Sequence, residues 1–172
     1  LYSSAASDVY KRQIYTSAQY RENFDFQVAM FYPSFTEMAN RRVAQGNPRG
    51  RLPISCGNAQ VLRRFTVRPP VGSIANPTAI TQSFCTLTNG SLGTAFNRIQ
   101  TASQNYADAG SDALFQMYAP GLGGPLNRNW DFILAIAGTS RQELTERLDM
   151  RLDGFRAELG NRNGSRVFTC DR

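Results

Sequence analysis

The sequence has no histidine and only one lysine, Lys11, among its 172 residues. Without histidine, the Ser-His-Asp and Cys-His nucleophile systems are excluded. Without a lysine other than Lys11, a P-loop, a Ser-Lys nucleophile and Schiff-base chemistry have no cation or amine to use. These absences remove several common routes to catalysis and favour a non-catalytic protein.

Cysteines and long apolar runs are also scarce. The three cysteines, Cys56, Cys85 and Cys170, form no Cys-x-x-Cys pair, so they predict at most one disulfide and no zinc site. The apolar stretch FILAIAG at 132–138 is much shorter than the roughly 20 residues that a membrane-spanning helix needs. Gly121–Gly124 lacks the spacing of a dinucleotide-binding loop. We therefore expect no metal, no cofactor and no transmembrane segment.

The first 13 residues, LYSSAASDVYKRQ, do not read as part of a fold. One choice of codons for Ser3–Gln13 matches an adaptor and transposon end used to prepare sequencing libraries, over all 11 codons. We therefore predict that residues 1–13 are a translated cloning scar without a structural role. Residues 14–172 are then expected to form a single domain whose natural N-terminus is missing.

Positive charge is concentrated in one part of the chain. Residues 1–13 contain Lys11, Arg12 and Asp8. The rest of the chain has 17 arginines and 12 carboxylates, for a net charge of +5. Residues 14–75 carry all of this excess, because residues 76–172 hold nine arginines and nine acids. Seven arginines fall within 28 residues that contain no acid: Arg41, Arg42, Arg49, Arg51, Arg63, Arg64 and Arg68. Such a cluster attracts phosphates or an acidic protein surface, or it pairs with acids of the same chain.

The strongest helix pattern lies near the C-terminus. Ser140 and Glu143 form a capping box, which marks the start of a helix. An apolar stripe then recurs at steps of three and four residues: Leu144, Leu148, Leu152, Phe155 and Leu159. Gly160 is expected to end the helix. Arg147 is expected on the charged, exposed side of this helix, paired with Glu143.

Helices also outnumber strands in the rest of the predicted fold. Further helices are predicted from Ser34 to Gly46, from Asn76 to Gly90, from Leu92 to Tyr106, and over the apolar segment from Trp130 to Ala137. Strands are predicted from Val61 to Arg68 and in the tail at 165–172. From Phe24 to Tyr32 helix and strand compete, and the aromatic content favours a strand. The expected fold is mainly α with a minor β-element, in one small domain of four or five helices and two or three short strands.

Two carboxylates are candidates for acid–base chemistry. Asp108 and Asp112 would share one side of a helix if 105–115 were helical, and paired carboxylates can transfer protons or bind a hard cation. Gly110 lies between them, however, and aspartates at a break between helices are more often caps. An enzyme that uses carboxylates alone is therefore only a second alternative.

No motif in the sequence points to a known family. The favoured function is a non-catalytic structural or assembly subunit of a virion, pilus or secretion apparatus, with an arginine-rich surface for an anionic partner. Its partner would be another protein or a second copy of the chain. The first alternative is a nucleic-acid-binding module that uses the Arg41–Arg68 cluster. The polar, charge-poor composition favours an exported or virion-associated protein.

If the arginine cluster contacts phosphates, its affinity for nucleic acid should depend on salt. The logarithm of affinity should fall against that of salt by about 0.9 per contact on duplex DNA, and by about 0.7 on single strands. Replacing Arg49, Arg51 and Arg64 together with Gln should flatten the duplex slope by about two to three units and leave the melting temperature little changed. Anisotropy titrations measure this slope. Failure to bind DNA, RNA or heparin at low salt would contradict the prediction.

Overall fold

The computed structural model describes residues 11–16, 26–44, 60–74, 78–121, 128–150 and 167–170. In chain order, the elements are β1 (Lys11–Thr16), β2 (Phe26–Phe31), α1 (Phe35–Ala44), β3 (Leu62–Arg68), β4 (Ile80–Leu87), α2 (Leu92–Asp108), β5 (Leu114–Pro120), β6 (Phe132–Ala137), α3 (Arg141–Met150) and β7 (Phe168–Cys170). The chain divides into two compact units, Leu1–Cys56 and Gly57–Arg172, and each is described by itself.

The first unit contains an antiparallel pair of strands. β1 pairs with β2 from Lys11 opposite Phe31 to Thr16 opposite Phe26. The strand that the aromatic content favoured over 24–32 is confirmed by β2. Lys11–Gln13, which belong to the segment predicted as a cloning scar, form the first half of β1. Their non-native origin stays a prediction.

Helix α1 follows β2 and begins where the sequence predicts. The Ser34 hydroxyl accepts a hydrogen bond from the Glu37 backbone N–H at 3.1 Å, so it satisfies one of the donors that a helix start leaves unpaired. The Met38 N–H donates to the Ser34 carbonyl at 3.1 Å, which is the first bond of the helical ladder. The predicted end at Gly46 lies outside the described residues.

The second unit contains a five-stranded antiparallel sheet in the order β3-β5-β6-β4-β7. The elements β4-α2-β5 and β6-α3-β7 are two split β-α-β units, since each helix connects two strands that have another strand between them. β3 extends the sheet beyond β5. None of the helices in the described ranges is both long and apolar enough to cross a membrane.

The prediction of a mainly α fold is wrong. In the part of the chain that the structure describes, the fold is α/β, with three helices and this sheet, about 35% strand and 32% helix. Two segments predicted as helices are the central strands β4 and β6. All six residues of β6 are buried, and a short apolar run covered on both faces has the same pattern in a strand as in a buried helix. The Asn76-Pro77 pair, read as a helix start, lies outside the described residues.

The core of the second unit lies between the sheet and α2. On this face, Phe132, Leu134 and Ile136 of β6 join Phe115 and Met117 of β5 and the α2 residues Ala95, Ile99 and Tyr106. The rings of Tyr106 and Phe115 lie 5.7 Å apart. Helix α2 was predicted from its apolar stripe, and its start is fixed by a capping box between Ser91 and Thr94. That helix is confirmed.

Helix α3 confirms the predicted start but not the predicted exposure. The Glu143 N–H donates to the Ser140 hydroxyl at 3.1 Å, and Leu144 is buried. Arg147, expected on the exposed side, is only 1% exposed. It follows Leu144 by three residues, so the two side chains lie on one face of the helix. The other members of the apolar stripe, from Leu148 onward, lie outside the described side chains.

A disulfide joins the two strands at one edge of the sheet. Cys85 of β4 lies opposite Cys170 of β7, and the two are bonded. Cys85 is fully buried, and Cys170 packs against the core. The strand predicted in the tail is confirmed as β7, while Cys56 lies outside the described residues.

We expect the disulfide to contribute measurably to stability. Replacing Cys85 and Cys170 together with Ser should lower the free energy of unfolding by about 2–5 kcal/mol, because the cross-link restricts the unfolded chain. Urea unfolding measures this loss, and reduction of the wild type should reproduce it. Cys56→Ser is the matched control and should change little. A double variant as stable as the wild type would show that the bond adds nothing.

Arg147 should be among the most sensitive positions of α3. Arg147→Ala should lower the free energy of unfolding by about 1–3 kcal/mol, because the packing of its buried side chain is lost. Arg141→Ala, an exposed arginine on the same helix, should change it by less than about 0.5 kcal/mol. Urea unfolding of both variants compares them. Equal, small effects would mean that Arg147 is not buried in solution.

Candidate functional site

The seven arginines of the predicted cluster are divided between the two units. Arg41 and Arg42 lie in the last turn of α1, in the first unit. Arg63, Arg64 and Arg68 lie in β3, in the second unit. Arg49 and Arg51 lie outside the described residues. The anion-binding role of the group stays a prediction, and only its β3 members have described side chains.

The neighbours Arg63 and Arg64 point to opposite faces of the sheet. Successive side chains of a strand alternate between its two faces. The Arg63 guanidinium lies 5.1 Å from the centroid of Phe65, and Phe65 packs against the core on the α2 side. Arg64 therefore projects from the face opposite α2. Both arginines are exposed, but they belong to different surfaces.

Arg68 makes its contacts within the second unit. A register shift between Thr66 and Arg68 brings Arg68 opposite Phe115, whose side chain is in the core. Its Nη2 donates to the Ala113 carbonyl at 2.7 Å, and its guanidinium lies 5.1 Å from the Phe115 centroid. Burial lowers the pKa of Arg68, while the nearby Glu143 and Asp112 carboxylates act in the opposite direction. An arginine stays charged under such a shift, so these contacts fasten β3 to the start of β5.

The two candidate carboxylates do not share a helix. Helix α2 ends at Asp108, and Gly110 adopts a φ of 92°, which favours glycine and stops the helix. Asp108 accepts a hydrogen bond from the Gln104 amide at 2.9 Å. Asp112 lies beyond the helix, in the connection to β5. The side-by-side placement required for paired acid–base work is therefore absent from these two residues.

The face of the sheet opposite α2, which we call the second face, carries a row of residues from four strands. Arg64 lies opposite Tyr118, Tyr118 opposite Ile133, and Ile133 opposite Phe84. Their sequence neighbours Phe65, Met117, Leu134 and Cys85 all point toward the core on the α2 side. By alternation, the four residues project from the second face. We call Arg64, Tyr118, Ile133 and Phe84 the aromatic row.

Trp130 extends this row beyond Phe84. The Asp131 N–H donates to the Cys85 carbonyl at 2.8 Å, and the Asp131 carboxylate accepts from the Leu87 N–H at 2.7 Å. These two bonds hold the segment before β6 against β4. The Trp130 ring lies 5.7 Å from that of Phe84, and the Arg128 guanidinium lies 5.8 Å from the Trp130 centroid. An arginine therefore lies at each end of the row.

The second face combines partly exposed rings with uncharged polar side chains. Tyr118, Phe84 and Trp130 are half-buried, and Arg64 and Arg128 are exposed. A parallel row runs from Thr66 through Gln116 and Ala135 to Gln82. None of the described strand residues on this face is acidic. The surface is thus suited to a ligand with flat apolar groups and negative charge.

One pattern in the sequence indicates this surface. In 114–120, apolar side chains alternate with Gln116 and Tyr118, which is the period of a half-buried strand. Interpreting Trp130–Ala137 as a helix placed Trp130 in a core rather than beside a sheet. Phe65, the only aromatic residue within the sequence range of the arginine cluster, packs against the core.

Comparisons with family models, with curated proteins and with solved structures found no match to the chain. The function is therefore argued from the geometry of the second face and from the chemistry of its residues.

Proposed function

We propose that the protein is a non-catalytic interaction or assembly subunit that binds an anionic partner through the second face of its sheet. The observation that carries the proposal is the aromatic row with Arg64 at one end and Arg128, over Trp130, at the other. Two exposed guanidiniums, on a face where none of the described strand residues is acidic, favour an anionic ligand. The net charge of +6 adds long-range attraction for an anion.

The available side chains support binding rather than catalysis. The sequence has no histidine and a single lysine. The carboxylate pair considered in the sequence, Asp108 and Asp112, is separated by the end of α2. Arginine, which is abundant, is a poor general base because it stays protonated, but it binds carboxylates and phosphates through two parallel hydrogen bonds.

The outer side of α2 supports contact with a protein, either another chain or a second copy. Four exposed residues there are uncharged, namely Asn97, Gln100, Thr101 and Gln104, and the exposed Asp108 lies at the C-terminal end of the same side. Charged residues are depleted at the centres of protein interfaces, because their desolvation is costly. The disulfide adds support for an exported or virion-associated protein, since such bonds persist in oxidising surroundings.

Retention on heparin tests the anion-binding part of this proposal with a charge-matched pair of variants. The wild type should be retained at low salt and released as salt rises, because counterions compete for the arginines. Arg64→Gln with Arg128→Gln, both on the second face, should elute at clearly lower salt than Arg63→Gln with Arg141→Gln. Both double variants lose two exposed arginines and the same net charge.

Two results would contradict the proposal. One is a wild type that is not retained at low salt, and the other is identical elution of the two double variants, which would show that only net charge matters. Light scattering across a range of protein concentrations measures self-association in parallel. It shows whether the assembled partner is a second copy of the chain.

A further inference from the structure

We infer that the anionic partner is single-stranded nucleic acid, whose bases stack on the rings of the second face and whose phosphates contact Arg64 and Arg128. This inference rests on the proposed function, because it names the partner of the same surface. It is carried by three independent features of the described residues. These are the spacing of the rings, their partial exposure, and the position of the charges.

The rings are spaced for stacking. Neighbouring strands lie about 4.8 Å apart, so the aromatic row extends roughly 14 Å from β3 to β4. Tyr118 and Phe84 lie in the same row, separated by Ile133 on the intervening strand. The Trp130 ring continues the surface at 5.7 Å from that of Phe84. A platform of this size and composition accommodates about two or three splayed bases.

The rings are partly exposed, so a ligand can contact them, and the Tyr118 ring is held in one orientation. Tyr118, Phe84 and Trp130 are each half-buried, so part of each ring is accessible to a ligand. The Tyr118 hydroxyl donates to the Gln116 amide oxygen at 2.6 Å, which orients the ring. Every base has a π-face, so stacking on such a surface tolerates different sequences. The neighbouring Gln82 is exposed and can contact base edges.

The charges lie where the backbone of a stacked strand would pass. Arg64 is at the β3 end of the aromatic row, and Arg128 lies over Trp130 at the far end. Bases on the rings between them would place phosphates near both guanidiniums. Arginine suits this position, because its planar group binds phosphate through two hydrogen bonds and also stacks.

A single strand fits this surface better than a duplex or an acidic protein. In a duplex the bases stack on one another, and their faces are closed to the rings of Tyr118, Phe84 and Trp130. An acidic protein would pair with the arginines and pack side chains against the rings. Nucleic-acid bases would instead cover the rings with flat π-faces and supply the phosphates from the same molecule. Single-strand binders combine basic side chains that contact the backbone with aromatic side chains on which bases stack, and the second face has both.

The experiment uses Trp130, the single tryptophan of the chain, as an internal reporter. Oligothymidylate of about 20 nucleotides, longer than the site that one small domain covers, should quench its fluorescence at low salt. The logarithm of affinity should fall against that of salt by about 0.7 per phosphate contact. Arg64→Gln should reduce this slope by about 0.7, whereas Arg63→Gln, on the same strand and the other face, should leave it unchanged.

The stacking contribution is tested with variants that keep apolar bulk. Tyr118→Leu and Phe84→Leu should each weaken binding of the oligonucleotide by about tenfold, because the ring is lost while the sheet stays covered. Phe35→Leu removes an exposed aromatic ring in α1 and should leave the affinity unchanged. Circular dichroism and melting temperatures establish that all three variants are folded.

Different results separate this inference from the proposed function. If heparin binds but oligothymidylate neither binds nor quenches Trp130, the inference fails and the proposed function stands. If a duplex binds as tightly as the single strand and Tyr118→Leu and Phe84→Leu have no effect, the surface contacts phosphates only, and the inference again fails. If neither heparin nor oligothymidylate binds at low salt, the proposed function fails as well.

Discussion

The second unit depends on covering both faces of β6 at once, because all six of its residues are buried. On one face this is done by α2 and the aromatic side chains packed beneath it. On the other, Ile133, only 7% exposed, lies between Tyr118 and Phe84 in the register of the sheet. The rings of Tyr118 and Phe84 therefore lie on either side of a buried strand, and this structural role is separate from any contact with a ligand. This double role explains why leucine, and not alanine, is the informative substitution.

The sequence predicted the elements whose signals are local. Ser34 and Ser140 begin helices through side-chain caps, and the α2 stripe and the aromatic content of β2 indicated the right element types. It failed at β4 and β6, where the deciding information is burial by distant segments. The aromatic row could not be predicted at all, because Arg64, Phe84, Tyr118 and Ile133 become neighbours only through strand register.

The site could be predicted only in part for the same reason, as the arginines show. Their concentration along the chain was plain from the sequence, but strand alternation sends Arg63 and Arg64 to different faces, and a register shift turns Arg68 toward the core. Arg147, in a segment interpreted as an exposed charged face, is buried. The number of arginines in a segment does not show which of them bind a partner and which stabilise the fold. Their role depends on whether each side chain lies on an exposed or a buried face of its strand or helix.

The split connectivity has a consequence for how the sheet forms. Among the described strand pairs of the second unit, only β5 and β6 are consecutive in the chain, and the Cys85–Cys170 contact joins residues 85 positions apart. Pairings between distant segments slow folding, since the entropy of closing each loop is lost before the contact stabilises anything. The β5–β6 hairpin can form early, whereas the outer edge of β4 stays unpaired until β7 is added. Until that strand arrives, the exposed edge of β4 can pair with other chains, so aggregation during folding is the main hazard this topology creates.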